Sequence, residues 1–143
     1  MEYSGEIMTN FEPCISQFGL HDTTINKVEL KNNSIVFDFH NGVYLYDFNR
    51  KLTKKTEPCS MNVFINDFNI EKAYEHVEIK QIYKSKIKEI IFQDFLKLLN
   101  KNYFQVYLDY YSFFANSILL IGTIQKHEIQ IKITEVDRIT FDF

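Results

Sequence analysis

Glycine and proline are scarce in this chain, with four and two residues among 143. That leaves no Pro/Gly/Ser-rich linker at which a second domain could begin, so a single domain over residues 1–143 is expected. The four glycines, Gly5, Gly19, Gly42 and Gly122, are isolated from one another. No phosphate-cradling Gly-rich loop can be drawn from them, and no GxSxG elbow occurs. Cysteine is limited to Cys14 and Cys59, each following Glu-Pro. The residues after the two EPC triplets do not match, so the echo is read as chance and the thiols as reduced and structural. Tryptophan is absent.

Long apolar runs are missing as well. None approaches the roughly 18–20 residues of a membrane span, and the start MEYSGEIMTNFEP has neither the basic opening nor the apolar stretch of a signal peptide. The expectation is a soluble cytoplasmic protein. An excess of positive charge is also missing: the net charge is −3, the wrong sign for a nucleic-acid binder that neutralises phosphates. The charge is unevenly spread, at −5 over residues 1–48, +4 over 49–101 and −2 over 102–143. Such polarity can steer a charged partner to one side. Lysine outnumbers arginine fourteen to two, and asparagine and isoleucine are frequent, a bias read as that of an A/T-rich bacterial genome.

What is abundant is hydrophobic and aromatic side chains, 45% and 16% of the residues, which suffices for one packed core. Most of them alternate. In SIVFDFH, Ile35, Phe37 and Phe39 share one face, while Val36, Asp38 and His40 share the other. Asn41-Gly42 follows, the dipeptide preferred in two-residue type I′ hairpins, and Val43–Phe48 reads as the return strand. With a turn at Lys31-Asn32-Asn33, residues 24–48 are predicted to form a three-stranded antiparallel meander, Leu30 pairing with Ser34. Residues 61–65 and 76–83 are further candidate strands, separated by a polar stretch with room for a helical turn.

From Lys84 the period changes. With Ser85 as N-cap, Ile87, Ile91, Phe92, Phe95, Leu96, Leu98 and Leu99 cover about half of a helical wheel. A long amphipathic helix over 85–101 is therefore predicted. Its apolar arc is wider than one sheet requires. Either the amino-terminal segment (Ile7, Met8, Phe11, Ile15, Phe18) covers the surplus, or the helix forms a homodimer seam. Alternation returns in 103–110, 117–124, 128–134 and 138–143. Strands, one helix, strands: the expected fold class is α+β, mainly antiparallel sheet (meander 24–48, C-terminal strands 103–143) with one long helix near 85–101.

Two constellations carry candidate function. His21-Asp22 lies at the entry to the first strand, and an assumed register would set Thr24 opposite His40. His21, Asp22, Asp38 and His40 could then hold a divalent metal, as in a metal-binding or metal-dependent hydrolase domain. The simpler reading makes His21 and Asp22 a structural turn, the Asp22 carboxylate accepting backbone amides near Thr23–Ile25. Secondly, tyrosines alternate with acids at Tyr44, Tyr46 and Asp47 and at Tyr107 and Asp109, a composition common in protein contacts. These five are the candidate partner-binding residues. A third use of the fold is a small-ligand pocket between helix and sheet, lined by Phe and Tyr.

The stretch LHDTTINKVELKNNSIVFDFHNGVYLYDF, through its entry Leu20-His21-Asp22-x-x-Ile25, resembles the amino-terminal meander of small bacterial proteins. Some of these are assigned as immunity proteins of polymorphic toxin systems. LLNKNYFQVYLDYYSFFANSILLIGTIQKHEIQIKI is similar in layout to their strand-rich second half. With the absence of catalytic motifs and the polarised charge, the resemblance implies a non-enzymatic protein-binding module of the immunity type, an inhibitor of a partner toxin, for which no catalytic residue and no cofactor are expected. Together with the charge balance it implies a protein partner rather than nucleic acid or membrane.

Overall fold

The computed structural model describes residues 6–9, 18–46, 51–100, 102–112 and 116–143. Among the described residues thirteen strands follow one another: β1 (Glu6–Thr9), β2 (Phe18–Gly19), β3 (Thr23–Leu30), β4 (Ser34–Phe39), β5 (Tyr44–Tyr46), β6 (Leu52–Lys55), β7 (Cys59–Ile65), β8 (Val77–Tyr83), β9 (Lys86–Ile90), β10 (Phe104–Ser112), β11 (Ser117–Ile124), β12 (His127–Ile133) and β13 (Val136–Asp142). A 3-10 turn at Ile70–Glu75 precedes β8, and a helix, α1 (Phe92–Leu99), follows β9. Ten strands form a single sheet in the order β1-β13-β7-β4-β3-β10-β11-β12-β8-β9, and β2-β5-β6 form a second sheet. Among the described residues all the pairings are antiparallel.

The large sheet is curled. Leu30 of β3 and Val77 of β8 line the same groove of 460 Å³, although their strands are four places apart in the sheet. A flat sheet, at about 4.8 Å per strand, would hold them roughly 19 Å apart. The inner face carries the expected alternating residues, Ile35, Phe37 and Phe39 on β4 and Ile129, Ile131 and Ile133 on β12, all buried. The small sheet closes over this face. Phe18 stacks on Phe141 with ring centroids 4.4 Å apart, and Leu20, Val43 and Leu45 belong to the same buried cluster.

The fold is mostly antiparallel β rather than α+β, because the long helix over 85–101 does not form. Lys84 and Ser85 both have positive φ, 50° and 68°, and Tyr83 pairs with Lys86. This is a two-residue hairpin of the I′ kind made without Asn or Gly, and it sends residues 86–90 back along β8 as β9. Of the described residues in 85–101 only Phe92–Leu99 is helical, eight residues, with no side-chain cap. Phe95 and Leu99 are its buried residues, and Phe95 meets Phe104 edge-on at 6.1 Å. The surplus apolar arc thus has a simple origin: Ile87 lies on a strand and Ile91 precedes the helix, both exposed. A homodimer seam through a helix at 85–101 has no such helix to use. Of the segment expected to cover it, residues 10–17 lie outside the described residues, and Phe18 packs on β13.

The meander over 24–48 is also revised. β3 and β4 form a hairpin, but Leu30 pairs with Ile35, one residue from the expected register, and a bulge between Ile25 and Lys27 resets the pairing to Ile25 with Phe39. β5 does not return along β4, whose other neighbour is β7. The Gly42 amide donates to the Phe39 carbonyl at 3.1 Å, and Val43 exchanges bonds with Thr56 instead. Asn41-Gly42 is therefore a corner between sheets. Gly42 has φ +78°, and a Cβ there would lie 2.2 Å from the Thr56 carbonyl oxygen, so glycine is required by both conformation and space.

Candidate binding face

The His21 corner is an aromatic stack. The His21 ring lies over Tyr44 with centroids 5.2 Å apart, and the Tyr46 hydroxyl is 3.0 Å from Nε2. Lys55 covers the same Tyr44 ring at 5.3 Å. Tyr44 and Tyr46 are half-buried in this arrangement, and Asp47 lies outside the described residues. Asp22 takes the left-handed conformation at φ 56°. Its amide donates to the Val106 carbonyl at 2.8 Å, and the Thr23 amide and hydroxyl both donate to the Leu20 carbonyl. The turn is thus built from the backbone and Thr23, while Asp22 itself is exposed.

His40 sits elsewhere, its ring stacked on Tyr103 at 4.8 Å. Asp38 accepts a 2.6 Å hydrogen bond from the Ser60 hydroxyl. These two line a shallow hollow with Ser60, Cys59 and Asp142, and neither His21 nor Asp22 reaches it. Among the described residues no group of three or more His, Cys, Asp or Glu is placed to hold a metal ion. Burial, the largest influence on the Cys59 thiol, pushes it up to about 11, with Thr56 lowering it and Asp38 raising it. That is the reverse of an activated nucleophile. Cys59 is a free, buried thiol; Cys14 lies outside the described residues.

The feature with the shape of a binding site is on the outer face of β10 and β11. β10 starts with Phe104 and Val106 buried and Gln105 and Tyr107 exposed. Between Val106 and Leu108 the register slips: Val106 pairs with Gly122, and Leu108 with Ile121. Tyr107 is the extra residue of this bulge, and the parity of every later side chain is inverted. Leu108 and Tyr110 consequently turn outward, 47% and 52% exposed. They stand opposite Ile121 and Leu119, which are half-buried on the same face. Gly122 permits the close pairing beside the bulge, since a Cβ there would lie 2.0 Å from the Gln105 carbonyl oxygen.

The same inversion turns Asp109 the other way. It accepts hydrogen bonds from the Tyr111 hydroxyl at 2.8 Å and from the Leu20 amide at 3.4 Å, tying β10 to the His21 corner. Tyr107 is exposed, its hydroxyl 3.2 Å from that of Thr123. The face is therefore an apolar centre of Leu108, Tyr110, Leu119 and Ile121, with Tyr107 beside it. Gln105 and Thr123 lie at one end, and Gln130 and Lys132 on β12 oppose Ile121 and Leu119 on the far side. Leu108, Leu119 and Ile121 were not among the residues that sequence alone singled out. The available signal was the run Ile118-Leu119-Leu120-Ile121, which is apolar on both faces of one strand.

The chain matches no family model, no curated protein and no solved structure. No helix among the described residues is long and apolar enough to cross a membrane.

Proposed function

We propose that this protein is a non-catalytic binding module that holds another protein against the outer face of β10 and β11. The observation that carries the reading is the bulge-built patch, in which Leu108 and Tyr110 are half exposed and oppose Ile121 and Leu119. An apolar and tyrosine centre with a polar rim is the anatomy of a protein contact. The raised Cys59 thiol and the engagement of His21 and His40 in aromatic stacks favour binding over catalysis. The resemblance to immunity-type proteins would make the partner a toxin met in the cytoplasm.

The test is affinity capture from a lysate of the protein's own host, comparing the unaltered chain with Leu108→Glu and with Glu128→Ala. A protein retained by the unaltered chain and by Glu128→Ala, and lost with Leu108→Glu, supports the reading. Retention unaffected by Leu108→Glu, or no protein retained at all, overturns it.

A further inference from the structure

We infer that the free edge of β9 is a second docking site, one that takes an extended acidic segment of a partner protein as an added antiparallel strand. β9 is the last strand of the large sheet, paired with β8 alone among the described residues. Lys86, Ile87, Lys88 and Glu89 are all exposed, Ile87 at 67%. A strand so placed offers a row of unpaired backbone donors and acceptors.

The charges on β9 select what can use that row. Successive side chains alternate, so Lys86, Lys88 and Ile90 stand on one face, with Ile87 and Glu89 on the other. A second copy of the chain is disfavoured. Pairing two β9 edges about a twofold axis perpendicular to the sheet sets residues of equal parity opposite each other. Three such registers overlap the five-residue strand by three residues or more. One opposes Lys88 to Lys88, another Lys86 to Lys88, and the third Glu89 to Glu89, and like charges directly opposite are destabilising. The lysines that repel a second copy attract a strand carrying acids at alternate positions. Lys84, in the adjoining turn, adds to the positive end.

The direction follows from the other end of the strand. There the 460 Å³ groove is lined by Ile70, Tyr74, Ile90, Ile91 and Phe92, and also by Glu71 and Glu89. A carboxylate is unwelcome beside these two glutamates, whereas an apolar side chain finds apolar walls. The matching segment therefore begins with an apolar residue near the groove and carries acids at the second and fourth positions after it, opposite Lys88 and Lys86. This surface is separate from the β10–β11 face.

The experiment titrates the full chain with a labelled synthetic peptide of that pattern, an apolar residue followed by alternating Thr and Glu. It includes a peptide of the same composition with its acids made adjacent, and one N-methylated at alternate backbone amides. The patterned peptide should bind, and scrambling or N-methylation should abolish binding. Lys86→Glu with Lys88→Glu should weaken binding roughly tenfold or more, and a peptide with Lys in place of Glu should recover it. Equal binding of all three peptides would show loose attraction to a basic surface and overturn the inference. So would the failure of the patterned peptide to bind, or self-association of the chain through β9.

Discussion

Leu108 and Ile121 stand directly opposite each other on the outer face of β10 and β11, and they do so because Tyr107 is an extra residue. Were β10 regular, Leu108 would join Phe104 and Val106 on the inner face and Asp109 would point to solvent. One bulge thus converts a residue that alternation assigns to the core into the centre of a surface patch. It also turns Asp109 toward the His21 corner, so a local irregularity positions both the candidate binding face and the strand that supports it.

Gly42 is a position where any side chain should be resisted. Gly42→Ala must adopt φ near +78° and place a methyl group 2.2 Å from the Thr56 carbonyl oxygen. A loss of about 2 kcal/mol or more is expected in urea unfolding, with the small sheet loosened first.

At Lys84-Ser85 the opposite is expected. Both residues occupy positive φ without the side chains that favour it, so replacing the pair with Asn-Gly should stabilise the β8–β9 hairpin by about 1 kcal/mol. A raised thermal midpoint with an unchanged circular dichroism spectrum is the expected result.

Asp22 sits at φ 56°, a conformation tolerated by Asn and Gly and resisted by β-branched residues. Asp22→Gly and Asp22→Asn should be near neutral, while Asp22→Val should lose about 1–2 kcal/mol. If Asp22→Asn and Asp22→Val were equally damaging, the carboxylate would matter more than the backbone does.

Cys59 should resist thiol reagents in the folded state. Its thiol titrates at about 11 against an ordinary value of 9.0, so in a Cys14→Ser background labelling at pH 8 should be slow until denaturant is added. The sign of the pH effect follows. As pH rises past 9 the unfolded chain loses the proton first, so this thiol's contribution to stability is intact below pH 9 and declines toward 11.

Alternation alone located β4, β7, β8, β11 and β12, because one wet face and one buried face leave a period-2 signature. Three kinds of feature were not legible. The Ile and Leu spacings of 87–99 suit a helix even where the chain is a strand, and the turn that decides between them, Lys84-Ser85, lacks the usual turn residues. Asn41-Gly42 announces a turn but not which strand follows it, since β4 pairs with the distant β7 rather than with β5. The bulge at Tyr107 depends on the pairing with β11, so periodicity in β10 could name Tyr107 but not Leu108 or Ile121. A turn at His21-Asp22 was legible, but the expected role of the Asp22 carboxylate as acceptor of the Thr23–Ile25 amides was not what builds it: the Thr23 amide and hydroxyl donate to the Leu20 carbonyl, and the stack on Tyr44 and Tyr46 arises from the second sheet.

The central claim is that the β10–β11 face is a protein-contact surface, and the most direct measurement compares Leu108→Glu and Ile121→Glu with the unaltered chain in partner capture and in thermal unfolding. The account predicts loss of the partner with both variants, at a thermal midpoint nearly unchanged for Leu108→Glu, which is 47% exposed, and modestly lowered for the half-buried Ile121→Glu. Full partner retention by both variants, with their folds intact, would contradict it.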